Sequence, residues 1–298
     1  MQNQDEIQAN MKKYKLPFCY WTDDNYYSIT LRMKKHSQYN RALDWDHYKS
    51  KQYFYCLRAN KYKVVLSYGT GDGDILNTAN LQHFLENDLK NKKCQLVTAD
   101  GGIELSTDEE FEFQELYNVK LFFSEAVTAM ACQELGGKFI MKIYDSFFDI
   151  TIEILMLLTL YYGKVRITKP HTSRPASSER YLVCENFKGI KEETLKELFK
   201  LLEKWVEIEN NMDYLKNEKF VVKFLEFKEN ENATFKKNLR ESNEDCINSQ
   251  ITKIKEGITI IEEKKENEVI EKKKLQREKA VAWCKMYNIP YLEDLEID

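Results

Sequence analysis

The stretch from Lys169 to Tyr181 constrains the fold more than any other part of the chain. It lies between two apolar runs, Lys164–Thr168 and Tyr181–Cys184, and holds two of the four prolines, two arginines and a series of small hydroxyl residues. Only about a dozen residues join the runs, too few for a helical crossover, so the two strands are expected to form an antiparallel hairpin. A loop of this composition is stiff, polar and cationic. It presents one carboxylate, Glu179, beside the start of the second strand.

Upstream, the pattern is different. Val64–Ser67, Gln95–Thr98 and Lys138–Ile143 are short, rich in β-branched residues and bounded by turn signals, and they read as strands. Phe111–Leu135 and Asp145–Tyr162 carry apolar residues at helical spacing. Strands alternating with helices predict an α/β fold: a mostly parallel, Rossmann-like sheet whose last strand is antiparallel. Seven of the ten glycines fall between Gly69 and Gly137, which concentrates tight turns and close backbone approach in that region.

After Gly189 the character changes, and a helical C-terminal extension is expected. Lys191–Leu215 is amphipathic, and Lys219–Phe227 reads as a short strand or a continuation of that helix. Glu241–Lys285 is dense in Lys and Glu, with Ile247, Ile251, Ile254, Ile258 and Ile261 forming a stripe at helical spacing. The stripe serves either to dock a helix on the main domain or to bind a protein partner. The expected organisation is an atypical or truncated N-terminus over 1–25, a catalytic domain over 26–190 and the extension over 191–298.

With 43% hydrophobic residues the chain is globular, and a net charge of −4 excludes indiscriminate coating of nucleic acid. Any nucleic-acid contact must come from a local patch. Seven scattered cysteines without a CxxC pair argue for a reducing compartment. The Ile150–Tyr162 run is too short to span a bilayer, and a soluble cytoplasmic protein is expected, with the nucleus left open.

Three positions carry the chemistry. Asp100 ends an apolar run and is followed by Gly101 and Gly102, which places a carboxylate at the carboxyl end of a strand over a tight turn. Lys142 alternates onto the same face as Lys138 and Ile140, and an amine in such a run is costly unless paired or used. Glu179 follows the stiff loop. In a parallel sheet the carboxyl ends of the strands line the ligand crevice, and an antiparallel last strand begins at that same edge. All three groups therefore converge there. The loop Tyr68-Gly69-Thr70-Gly71-Asp72-Gly73-Asp74 follows another strand and could wrap a small polar ligand, its acids accepting from an amine or a ribose hydroxyl. It lacks GxGxxG spacing, and its acids disfavour phosphate.

With these motifs in view, residues 26–186 resemble the catalytic domain of the FtsJ/RrmJ-type RNA 2′-O-methyltransferases, nearest in pattern to the cap-specific mRNA branch. The matching blocks are Tyr27–Leu31, Tyr68–Ile75, Val97–Ile103, Gly136–Asp145 and Lys169–Tyr181. The resemblance implies S-adenosyl-L-methionine as methyl donor, a ribose 2′-hydroxyl as acceptor, and capped mRNA as the RNA. It also implies a Lys-Asp-Lys-Glu tetrad, three of whose members fall on Asp100, Lys142 and Glu179. Tyr68, Gly69, Asp72, Asp74 and Asp100 would bind the cofactor, and Ser173, Arg174, Ser177 and Arg180 would hold the RNA backbone. No metal is implied, and the four histidines form no ligand spacing. A capped substrate would require a purine held between aromatic rings, for which Trp21, Trp45, Tyr48 and Tyr53 are available but equally suited to a core.

The family's N-terminal glycine-rich turn and first tetrad lysine are not found. Upstream of Tyr27 stands only Leu16-Pro17-Phe18-Cys19-Tyr20-Trp21, and nothing aligns Lys12, Lys13 or Lys15 with the missing lysine. Three readings fit this departure: a shortened N-terminus, a divergent cofactor site, or an inactive methyltransferase fold retained for binding RNA or a partner.

Overall fold

The computed structural model describes residues 25–31, 63–103, 105–170, 173–210, 233–263 and 266–287. The expectations for Lys12, Lys13, Lys15, Leu16–Trp21, Trp45, Tyr48, Tyr53 and Lys219–Phe227 lie outside the described residues. In order, the elements are β1 (Asn25–Ile29), β2 (Lys63–Ser67), α1 (Thr78–His83), β3 (Cys94–Ala99), α2 (Asp108–Glu112) and α3 (Gln114–Cys132). Then come β4 (Gln133–Ile143), α4 (Asp149–Tyr161), β5 (Tyr162–Thr168), β6 (Arg180–Phe187), α5 (Glu192–Asn210), α6 (Ala233–Glu262) and α7 (Glu266–Met286). No helix among the described residues is long and apolar enough to cross a membrane.

Two compact units can be distinguished. One contains Ser67–Ile254 with Ile29–Leu31, and the other holds the remaining described residues. In the first unit a four-stranded sheet runs in the order β3-β4-β6-β5. β3 and β4 are parallel, and β6 runs antiparallel to both β4 and β5. The short loop after β5 folds its strand back, as its length requires, and β6 enters between β4 and β5. Three of the four strands share one direction and the last opposes them.

The core is built around α3, which is buried along nearly its whole length from Asn118 to Cys132. A helix apolar on every side must be covered on every side. Here β4 and β3 cover one face, while α4 and α5 cover others. Phe123 meets Trp205 of α5 at 5.5 Å between ring centroids, and Phe139 of β4 stacks on Tyr162 at 6.4 Å. Tyr162 donates its hydroxyl to Gln133, satisfying a phenol that burial would otherwise leave unpaired.

Two element boundaries differ from the sequence pattern, each for a local reason. The helix expected over 111–135 stops at Cys132, and the strand expected from Lys138 starts at Gln133. Gly136 adopts φ +79°, and the β3–β4 register skips from Cys94↔Gln133 to Leu96↔Lys138, so a bulge joins two segments of one long strand. The helix expected over 145–162 begins only at Asp149. Tyr144–Phe148 is kept out of it by buried side chains. Arg180 donates to the Tyr144 carbonyl at 3.2 Å, and the Asn243 amide donates to the Ser146 carbonyl at 3.0 Å. Glu115 accepts from the N–H groups of Phe147 and Phe148 at 2.9 and 3.0 Å, capping α4 from another helix.

The same cluster docks α6. Asn243, 7% exposed, accepts from Arg180 at 2.9 Å and from the Ser146 hydroxyl at 2.9 Å, and Leu239 is buried beside it. Of the isoleucine stripe, Ile247 is half-buried. Ile251, Ile254, Ile258 and Ile261 are all exposed.

Asn243→Ala would leave a buried guanidinium and a buried carbonyl unsatisfied. It should destabilise the protein by about 2–4 kcal/mol, read as a lower urea midpoint with an unchanged slope. A midpoint equal to that of the wild-type protein would show that the cluster contributes nothing.

Candidate active site

Asp100 leaves β3 at its carboxyl end, and Lys142 is the penultimate residue of the parallel neighbour β4. This brings the Lys142 Nζ to 3.1 Å from the Asp100 carboxylate and 3.0 Å from its carbonyl oxygen. The lysine side chain is 12% exposed, whereas Asp100 opens to solvent at 72%. Burial works against the charge on Lys142. The Tyr144 hydroxyl and the Asp100 carboxylate outweigh it and hold the amine above its ordinary range. Gly102 sits so close that an added Cβ would lie 3.2 Å from the Tyr144 hydroxyl and 3.7 Å from the Lys142 Nζ.

Across the ladder, Lys142 is paired with Tyr181. Burial raises the pKa of that phenol, and the charges of Asp100 and Glu179 raise it further, opposed by Lys142. The amine and the first acid are thus in direct contact, and the second acid is near enough for its charge to act on Tyr181. The sequence reading missed this tyrosine. Its signal was its position, opposite Lys142 on the strand that the hairpin brings back.

The loop before Glu179 folds around an ammonium group. Lys169 donates to the Ser177 carbonyl at 2.7 Å, the Glu179 carbonyl at 2.8 Å and the Ser173 hydroxyl at 3.3 Å. Ser173 also donates to the Glu179 carboxylate at 3.2 Å, and the Ser177 hydroxyl accepts from the Glu179 N–H at 3.1 Å. Both serines therefore serve the loop's own shape. Arg174 is exposed at the tip. Arg180 departs from the expectation of a backbone-holding cation. It is 3% exposed, with its guanidinium spent on Tyr144, Ser146 and Asn243, so it cannot face RNA in this structure.

The Tyr68–Asp74 loop follows β2 and is organised by Asn80 of α1, which is fully buried. Asn80 accepts from the Thr70 N–H at 2.8 Å and donates to the Asp72 carboxylate and to the Asp74 carbonyl at 2.9 Å. Gly69 and Gly73 adopt φ +56° and +72°, and a Cβ on Gly73 would collide with the Thr30 carbonyl. Asp74 accepts from the Leu76 N–H at 2.9 Å. The loop offers carboxylates and no cation. That set of acceptors suits an amine or ribose hydroxyls and repels phosphate, which fits S-adenosyl-L-methionine.

One helix ties these pieces together. Ser124 of α3 donates to the Ile75 carbonyl at 2.6 Å, and Asn118 accepts from the Ile103 N–H at 3.0 Å. Glu125, 5% exposed, accepts from the Gly101 N–H at 2.9 Å, while its second oxygen has no hydrogen-bond partner. Burial raises the Glu125 pKa from 4.5 to about 7, opposed by the Gly101 bond and by Lys142 and reinforced by Asp100.

The partly antiparallel α/β sheet carries a paired lysine and aspartate at its carboxyl edge, with a glutamate brought back toward that edge by a hairpin. The sequence pattern of the FtsJ-like methyltransferases matches residues 34–187, and the chain belongs to that family. It is similar to the cap-specific mRNA (nucleoside-2'-O-)-methyltransferase 1 of Dictyostelium discoideum, 38% identical over 130 residues. That match covers 42% of this chain and 17% of the relative. The proteins of the same name from Trypanosoma cruzi (strain CL Brener) and Trypanosoma brucei brucei (strain 927/4 GUTat10.1) are 36% and 33% identical. Those matches cover 43% and 55% of this chain, and 35% and 40% of the relatives. The chain thus spans less than half the length of these relatives.

Between pH 4.5 and 7 the native Glu125 keeps a proton that the unfolded chain has released. Stability must therefore fall as pH rises through that window, by on the order of 3 kcal/mol for this group. Glu125→Gln removes the titration, and its melting temperature should fall less between pH 5 and 7.5 than that of the wild-type protein. Parallel melting curves for the two would show that Glu125 does not titrate there.

Proposed function

We propose that this chain transfers a methyl group from S-adenosyl-L-methionine to a ribose 2′-hydroxyl of RNA, with cap-proximal nucleotides of mRNA as the substrate. The observation that carries this reading is the Lys142–Asp100 pair, a half-buried ammonium held by a solvent-facing carboxylate at the carboxyl edge of the parallel strands. The names of the relatives support the cap-proximal substrate, and the family supports the donor.

When bound, the cofactor supplies an electrophilic methyl on a sulfonium. The chain's own residues align the hydroxyl with it and deal with one proton. The Lys142 ammonium lowers the pKa of a hydroxyl placed against it and stabilises the negative charge that grows on the oxygen. Asp100 fixes the amine's direction through its carboxylate and its carbonyl. Glu179, oriented by Ser173, provides a carboxylate toward which the 2′-hydroxyl can be aimed. Asp72 and Asp74, at the loop after β2, would accept from the donor's amine or ribose hydroxyls. The exposed Ile251, Ile254, Ile258 and Ile261 support a protein-binding role for the C-terminal extension.

Lys142→Ala should reduce methyl transfer to capped RNA by at least about 100-fold, the scale of losing one positioned proton-handling group, with cofactor affinity within a few-fold of wild type. Titration calorimetry with S-adenosyl-L-methionine checks the second part, and Asp74→Ala should weaken binding there. Wild-type protein that binds RNA but no cofactor would point instead to an inactive RNA-binding fold. Full activity in Lys142→Ala would remove the lysine from its role.

A further inference from the structure

Glu125 is a carboxyl group inside the apolar core, 5% exposed, in a stretch of α3 where its neighbours are Phe122, Phe123, Ala126 and Val127. Carboxylates are almost never placed so unless they are paired or used. One oxygen has a single partner, the N–H of Gly101, and the other has none. A structural carboxylate would be expected to satisfy both oxygens, as Glu115 does farther along the same helix for two backbone N–H groups.

The bond it does make is directed at the site. Gly101 directly follows Asp100, and an added Cβ there would lie 2.5 Å from the Glu125 carboxylate, so the turn is fitted to this side chain. The one peptide group that joins Asp100 to Gly101 is thereby held at both of its polar ends. The Asp100 carbonyl accepts from Lys142, and the next N–H donates to Glu125. Charged groups of two other elements face Glu125: Asp100 at the end of β3 and Lys142 on β4.

We propose that Glu125 is a positioning residue of the transfer site, fixing the Asp100–Gly101 turn through the Gly101 amide and placing a titratable charge beneath Lys142. Ionised, it binds the amide more strongly and favours the ammonium form of Lys142. Protonated, it loosens the turn and releases Lys142 toward its neutral form. The catalytic part of this inference rests on the methyltransferase reading; the coupling of three ionisable groups through one glycine amide does not.

The test uses the full chain labelled with 15N-glycine, which gives ten amide signals to follow. In the wild-type protein the Gly101 amide should shift with pH, with a midpoint near 7, because its acceptor titrates. Glu125→Gln keeps the acceptor oxygen and the shape but should abolish that shift. Lys142→Met removes a cation that favours the ionised form, so it should raise the midpoint, while Asp100→Asn should lower it. A Gly101 signal that is flat between about pH 5 and 9, or a midpoint indifferent to both Lys142→Met and Asp100→Asn, would overturn the proposal. In single-turnover methyl transfer to capped RNA, Glu125→Gln should move the pH limb governed by Lys142 to lower pH, since the charge beneath the ammonium is gone. Superimposable profiles would overturn the catalytic half. Wild-type protein that transfers no methyl at any pH would overturn the functional reading instead, and the amide titration would still decide the coupling.

Discussion

A single helix holds the candidate site together, and it does so through polar atoms buried in a hydrophobic interior. Asn118, Ser124 and Glu125 each reach from α3 to the backbone of a loop that has no regular structure of its own. The side chains on α3 are themselves buried, so each would be expensive to leave without its partner. The loop after β2 and the turn after β3 are thereby referenced to one rigid body. The hydrophobic collapse around Phe122, Phe123 and Trp205 fixes α3, and α3 in turn fixes where Asp100 can be.

A second buried group performs the same service on the other side. The Arg180 guanidinium and the Asn243 amide knit together the start of β6, the Tyr144–Phe148 segment and α6. A cation at 3% exposure is tolerable only because carbonyl, amide and hydroxyl acceptors surround it. At Asn243, α6 is therefore tied to the start of β6, while Ile251 and Ile254, farther along the same helix, are exposed.

Much of the edge was legible in the sequence because each element announced itself locally. Asp100, Lys142 and Glu179 stand at the ends or starts of apolar runs, and the short loop before Glu179 dictated an antiparallel return. The residues that were not legible share one property: their partners are far away in the chain. Asn80, Asn243 and Lys169 look like ordinary surface residues until the fold brings acceptors to them. For Arg180 the family resemblance implies a contact to RNA, and acceptors on Tyr144, Ser146 and Asn243 turn it inward. Glu125 left a trace, a lone acid within the run Phe122-Phe123-Ser124-Glu125-Ala126-Val127, and the cost of burying it was the available signal. The late start of α4 at Asp149 has the same origin, since three distant polar side chains override helical periodicity, whereas α3 ends at Cys132 beside a glycine bulge close by in the chain.

Lys169 has a consequence for how an anionic chain would be received. Its ammonium is enclosed by the loop's own carbonyls and hydroxyl, so the loop is assembled around an internal cation before any ligand arrives. A flexible basic loop would lose conformational entropy on engaging a polyanion, and this one has already lost it during folding. Among the loop's described residues the cation left facing outward is Arg174, which favours recognition by a preset shape over adhesion by bulk charge.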